Sequence, residues 1–340
     1  MNKIILSFDY EIYFDGSNAY QQLLLKTNRI LKIAESYNVK LVFFIDVLYI
    51  VKLEEFELYH VSKLIKDQVF EIKSKGHELQ FHFHPHWLNS VYDSENELWL
   101  IDDSEFSYSD LIDKYGINIA NEYFEKSYDQ FRSYFNVTSS TFRAGGLSIN
   151  KYQKEFIQIL QKNGFVFDSS VLPDLLLKGK NLVIDHTHTP QKDQWKIDSD
   201  TGFFKASTKQ ENCLTEIPIM TVDSSKISIF KRILTSFKYR LSRLIHDRKI
   251  SDVVVHKMID LNFDSSHYPV SITFDKSSKS DIILLKHFTH EYFSGQYNVM
   301  CILSHPKSLK DISFDVFDRY IAWCKQHSTK YKFIVYKDLI

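Results

Sequence analysis

Short apolar runs alternate along the chain with longer stretches of helical period, the pattern that βα units of a parallel sheet leave in a sequence. The runs predict strands at Lys3 to Phe8, Lys40 to Ile45, Glu78 to Phe83, Thr141 to Arg143, Phe165 to Phe167, Thr215 to Ile219, Asp281 to Phe288, Val299 to Leu303 and Lys332 to Tyr336. Helical spacing predicts helices from about Ala19 to Tyr37, Glu54 to Ser74, Asn150 to Lys162 and Phe314 to Gln326, with Gly76 ending the second of them. No internal repeat or low-complexity tract interrupts the alternation. One stretch differs. Between Lys226 and Lys249, Phe230, Ile233, Leu234, Phe237, Leu241, Leu244 and Ile245 recur at helical spacing among basic residues opposed only by Asp247. The favoured reading is a helix packed on the barrel with a solvated basic face. Peripheral contact with an anionic membrane surface is the alternative.

A chain of 340 residues can bury one large core, and a single α/β barrel domain is expected, with the basic helical segment as an insertion at about 224–280. The 42 Lys and Arg balance 43 Asp and Glu, so no basic field points to nucleic acid as a partner. Cys213, Cys301 and Cys324 form no Cys-x-x-Cys pair, which argues against a disulfide framework or a thiolate metal cage and for a reducing compartment. The run Met1 to Asp9 reaches an acidic residue too early for a signal peptide. The longest apolar run, Leu41 to Val51, is broken by Asp46 and falls well short of the roughly 18 residues of a membrane span. These features predict a cytoplasmic protein.

Three groups of residues carry chemistry, each at or just past the C-terminal end of a predicted strand, where parallel barrels place their sites. Asp9 and Glu11 are two carboxylates at positions i and i+2, which face the same way on an extended chain. Gly76 to Trp87 contains four histidines, His77, His82, His84 and His86, and neutral imidazole is the commonest metal-ligand side chain. If the chain turns helically after the strand, His82 and His86 come to one face as a metal pair. His84 is then left as a packing or substrate-contact residue. His305 ends the run Val299 to Leu303 at the same end of the barrel, where a general acid would stand. Two histidines and a carboxylate with open positions are suited to metal-assisted hydrolysis.

These motifs, in this order, resemble the polysaccharide deacetylase family, the carbohydrate esterases with a NodB homology domain. Ser7-Phe8-Asp9-Tyr10-Glu11 is similar to the family's first strand end, Gly76-His77-Glu78-Leu79 with His82 and His86 to its metal-histidine segment, and Phe142-Arg143-Ala144-Gly145-Gly146 to its strand-end arginine. Gly164 to Val171 is similar to a Gly-Phe-x-x-Asp-Ser-Ser-Val segment of many members, and Ile302-Leu303-Ser304-His305 to the family's Leu-x-His. The resemblance implies a distorted (β/α)7 barrel and hydrolysis of an N-acetyl group on a sugar of a polysaccharide or glycan precursor, a lipid-linked one included. It implies Asp9 as base, His305 as acid, and Arg143 as the residue orienting Asp9. Asp168 would hold His305 protonated, or else serve only as a cap. The implied metal site is Glu11, His82 and His86 holding a divalent ion, zinc before iron, cobalt or nickel. His84, Trp87, Gly145 and Glu216 are expected to line the substrate groove. Glu11 stands where aspartate is commoner and one position later, and the family's Pro-Pro after the arginine is replaced. An amidohydrolase acting on a cyclic imide or small amide, and a non-catalytic sugar-binding descendant, remain as alternatives.

Overall fold

Seven apolar runs become parallel strands of one curled sheet. The computed structural model of the protein describes all residues except 14–16, 103, 179–182, 224–225, 227–268, 276 and 278–280. The parallel strands are β1 (Asn2–Tyr10), β2 (Val42–Asp46), β3 (Glu78–Phe83), β4 (Thr141–Ala144), β5 (Phe167–Asp168), β7 (Leu214–Glu216) and β8 (Val299–Ser304). Strand β6 (Trp195–Ile197) runs antiparallel to β7, and β9 (Tyr331–Ile334) is an eighth parallel strand, paired with the first half of β1. The order is β6-β7-β5-β4-β3-β2-β1-β8. Just after β7, Ile219 bridges Cys301 of β8, and the Met220 amide donates to the Cys301 carbonyl at 2.8 Å, so the two ends of the curl meet. This is the distorted (β/α)7 barrel of the α/β class.

Strand β3 shows why these segments are strands. Phe81 and Phe83 point outward into an aromatic layer with Phe124, Tyr128 and Phe131 of the helix Ile117–Phe135. Glu78, Gln80 and His82 alternate with them into the barrel, and all are buried. The polar positions therefore reach the site at one end of the barrel, while the apolar ones fix the sheet against its helices.

Two sequence expectations change. Asp281 to Phe288 is not a strand but the start of the helix Asp281–Ser294. Its buried residues Ile282, Leu284, Leu285, Phe288 and Thr289 keep helical spacing while Ile283 is exposed, a distinction that a short apolar run does not reveal. The expected helix from Glu54 to Ser74 is two helices, Val47–Glu55 and Tyr59–Ser74, separated at Glu57 by a left-handed backbone with φ of 59°. The basic segment Lys226 to Lys249 lies outside the described residues except Lys226, whose Nζ pairs with Glu291 at 2.5 Å. Chain flanking that segment pairs Thr221–Asp223 with Pro269–Ser271 in an antiparallel ribbon. Among the described residues, no helix is long and apolar enough to cross a membrane.

Glu78 opens β3 at the end of the barrel opposite the strands' C-termini and accepts hydrogen bonds from Gln80 Nε2 and the Lys337 amide. Burial, outweighing these bonds, pushes its carboxyl up to about 7. A carboxyl raised by folding contributes fully only below its unfolded value, and its contribution is lost as pH rises through the folded one. Glu78→Gln is therefore expected to raise stability at pH 8 by up to about 3 kcal/mol, and to gain nothing at pH 4. Thermal unfolding at the two pH values checks this.

Candidate active site

The C-terminal ends of β1, β3, β4 and β8 converge on one buried cluster. Asp9 closes β1, and Arg143 of β4 donates from Nη1 to its Oδ1 at 2.7 Å. The guanidinium is fully buried and its other donors are used: Nε to the Ser169 carbonyl at 2.8 Å, and Nη2 to the Ser7 and Ser169 hydroxyls at 3.1 Å each. Its plane lies 4.0 Å from the Phe44 ring. Arg143 thus holds one carboxylate oxygen of Asp9. Burial would lower the arginine's pKa, but the Asp9 charge overrides it and holds the guanidinium firmly cationic.

His82 ends β3 with Nδ1 2.9 Å from the Arg143 carbonyl. A carbonyl only accepts, so Nδ1 carries a proton there and Nε2 is the nitrogen that faces inward. That nitrogen stands 2.9 Å from His84 Nε2, 3.4 Å from Glu11 Oε2 and 3.7 Å from Asp9 Oδ2. His84 Nε2 also contacts Glu11 Oε2. The ligand atoms of Glu11, His82 and His84 all lie within 4.8 Å of one another.

His84, and not His86, is therefore the histidine brought together with His82 and Glu11. No α-helical turn follows β3. The backbone stays extended through His84, with φ of −114° and ψ of 89°, before a short 3-10 turn at Pro85–Trp87. On an extended chain, positions i and i+2 share a face, so His84 follows His82 inward. His86 is carried onto the turn, its ring 5.0 Å from those of His84 and Trp87. Burial and the neighbouring His84 hold its pKa well below the usual imidazole range.

The groove residues also shift. Trp87 is not at a substrate surface: it is fully buried against Tyr49 and Trp99, and its indole donates to Asp46 Oδ2 at 2.7 Å. Gly145 lies under His84, where a Cβ would stand 2.4 Å from the Phe83 carbonyl and 2.6 Å from His84 Nδ1, so only glycine leaves room for that imidazole. Glu216 is buried, hydrogen-bonded to Asp168 rather than facing a groove. Burial, reinforced by the Asp168 charge, pushes Glu216 well above the usual carboxylate range, so it carries the proton of the pair.

Asp168 accordingly does not hold His305. It accepts from the Ser170 amide and hydroxyl at 3.0 Å each, fixing the turn whose Ser169 receives Arg143. The partner of His305 is Asp275, which accepts from the His305 amide at 2.8 Å and lies 2.7 Å from its Nδ1. Burial lowers the pKa of His305, but Asp275 outweighs it and the net shift is upward. The far nitrogen, Nε2, stands 3.7 Å from both Asp9 Oδ2 and Glu11 Oε1. Sequence reasoning missed Asp275, which lies in the motif-free insertion. It also missed Lys307, whose Nζ pairs with Glu11 Oε1 at 2.8 Å and whose only sequence signal is its place two residues after His305. Burial raises the Glu11 pKa, but the charges of Lys307 and His84 and bonds from both histidines hold it well below the usual carboxylate range.

Two imidazole nitrogens and one carboxylate oxygen, mutually close and buried, are a donor set that fits a divalent transition metal. The two Nε2 atoms already face each other at 2.9 Å, with the His82 ring fixed from its other side by the Arg143 carbonyl.

No family sequence model and no curated protein matches the chain. Solved structures do share its fold. A protein described as a glycoside hydrolase/deacetylase from Parabacteroides distasonis superposes with a TM-score of 0.58 at 11% identity, covering 97% of this chain and 68% of that one. The Puue allantoinase gives 0.52 at 10%, covering 99% and 88%. A protein described as a polysaccharide deacetylase from Mycobacterium smegmatis gives 0.51 at 12%, covering 95% and 83%. The barrel has the NodB-like fold of the polysaccharide deacetylases.

Proposed function

We propose that residues 1–340 form one catalytic domain, a metal-dependent hydrolase that removes the N-acetyl group of a sugar in a polysaccharide or glycan precursor. The observation that carries this reading is the pairing of Asp9 and His305 beside Glu11, His82 and His84. Each of the first two is held by its own partner, Arg143 or Asp275, and they face each other at 3.7 Å. Polysaccharide deacetylases among the structures of this fold support the reaction class.

The reaction adds water to an acetyl carbon, releases acetate and leaves the sugar as an amine. A divalent ion held here, zinc in this proposal, would supply Lewis acidity toward the acetyl carbonyl and toward water. Glu11, His82 and His84 would hold it. Asp9 accepts the water's proton at Oδ2 while Arg143 keeps Oδ1 occupied, so the base has one free oxygen and one orientation. His305 delivers a proton from Nε2 to the leaving nitrogen, and Asp275 holds the ring and favours its protonated form. Asp168 and Glu216 act behind this, on the Ser169–Ser170 turn that receives Arg143.

The sequence reading of a cytoplasmic setting is supported by three free thiols, Cys213, Cys301 and Cys324. A lipid-linked substrate and a peripheral membrane contact through 226–249 rest on the basic composition of that segment alone. The allantoinase of the same fold favours one second reading, hydrolysis of a cyclic amide.

Acetate release from N-acetylated oligosaccharides is expected to require the ion and to stop on chelation. Asp9→Asn and His305→Ala should each lower kcat by about 10²–10⁴-fold. Turnover of a cyclic amide with no acetate released from sugars would favour the second reading. Elemental analysis is expected to find about one divalent ion per chain, lost in His82→Ala and in His84→Ala. Loss in His86→Ala with retention in His84→Ala would return the ligand role to His86.

A further inference from the structure

Lys307 sits in the short turn Pro306–Ser308, two residues beyond His305, and its side chain is nearly buried. Its ammonium points back across the barrel mouth. It lies 2.8 Å from Glu11 Oε1 and donates to the Ile12 carbonyl at 2.8 Å. The turn itself is pinned, because the Lys307 carbonyl accepts from the Tyr13 hydroxyl and from Lys26 Nζ at 2.7 Å each. Two distinct oxygens result on Glu11. Oε1 faces Lys307, and Oε2 faces the Nε2 atoms of His82 and His84.

A glutamate has one more rotatable bond than an aspartate, so a glutamate ligand needs a second contact to present a single oxygen reproducibly. We propose that Lys307 is a positioning residue for a bound divalent ion: it holds Glu11 by Oε1 so that Oε2 alone completes the His82–His84 donor set. The inference rests on the metal-site reading above. Two effects oppose each other when the ammonium is removed. Loss of a like charge near the ion favours binding, whereas loss of an outer partner of a ligating carboxylate weakens it by about 10–100-fold. The double anchoring of the Lys307 side chain, to Glu11 and to the Ile12 carbonyl, makes orientation the dominant effect.

The test is zinc affinity by competition with a chromophoric chelator for wild type, Lys307→Met and Lys307→Arg, together with the visible absorption spectrum of each cobalt-loaded protein. Lys307→Met is expected to bind zinc about 10–100-fold more weakly with altered cobalt bands, and Lys307→Arg to restore both. If Lys307→Met does not fold by circular dichroism, Lys307→Gln takes its place, with zinc binding expected weaker than that of wild type and altered cobalt bands. Wild-type zinc binding with equal or tighter binding in the methionine variant, or in its glutamine replacement, and an unchanged cobalt spectrum overturns this inference alone. Failure of the folded wild type to bind zinc or cobalt overturns it together with the metal-site reading.

Discussion

The contact on which the rest of the site depends is the buried pair of Arg143 and Asp9. A guanidinium taken out of water is costly unless its donors are satisfied and its charge is matched. Here Ser7, Ser169, Asp9 and the face of Phe44 together meet both conditions. Because those partners come from β1, β2 and the turn after β5, the arginine requires three separate strand ends to be in register. Removing one member of such a pair leaves the other charged and buried, a loss on the order of 3–5 kcal/mol. The same residue that holds Asp9 by its side chain receives His82 by its carbonyl. Orientation of Asp9 and of His82 is thus a property of one residue.

Four ionisable groups at this end of the barrel have a partner on another strand or turn. Asp9 has Arg143, Glu11 has Lys307, His305 has Asp275, and Asp168 has Glu216. Carboxylates packed this closely would otherwise repel one another in a low dielectric. Pairing with cations keeps Glu11 ionised, while sharing a proton lets Asp168 and Glu216 sit together as a hydrogen-bonded unit behind Ser169. The barrel closes at the Ile219–Cys301 bridge, so β7 and β8 arrive side by side and Glu216 and His305 enter the same end of the fold from opposite halves of the sheet.

Much of this was legible in the chain before folding. The βα alternation carried the barrel because strands buried on both faces read as short apolar runs. Asp9, His82 and His305 were legible because polar residues at the ends of such runs have few structural reasons to be there, and Arg143 through the resemblance of its segment to a family motif. The helix Asp281–Ser294 was misread because a short apolar run has no periodicity long enough to separate a buried strand from a buried helix. His84 was left out of the metal set because the chain was expected to turn helically after β3, whereas Pro85 delays the turn until His84 has followed the strand's inward face.

The sequence by itself determined the class of fold, the end of the barrel that bears the chemistry and the residue types available there, since burial pattern and strand period are local properties. Tertiary structure alone decided the partners. Asp275 reaches His305 across 30 residues, Lys307 reaches Glu11 across nearly the whole chain, and Asp168 turns to Glu216 instead of the histidine. Pairings of that kind depend on which strand ends a closed sheet brings together, and no spacing along the chain encodes them.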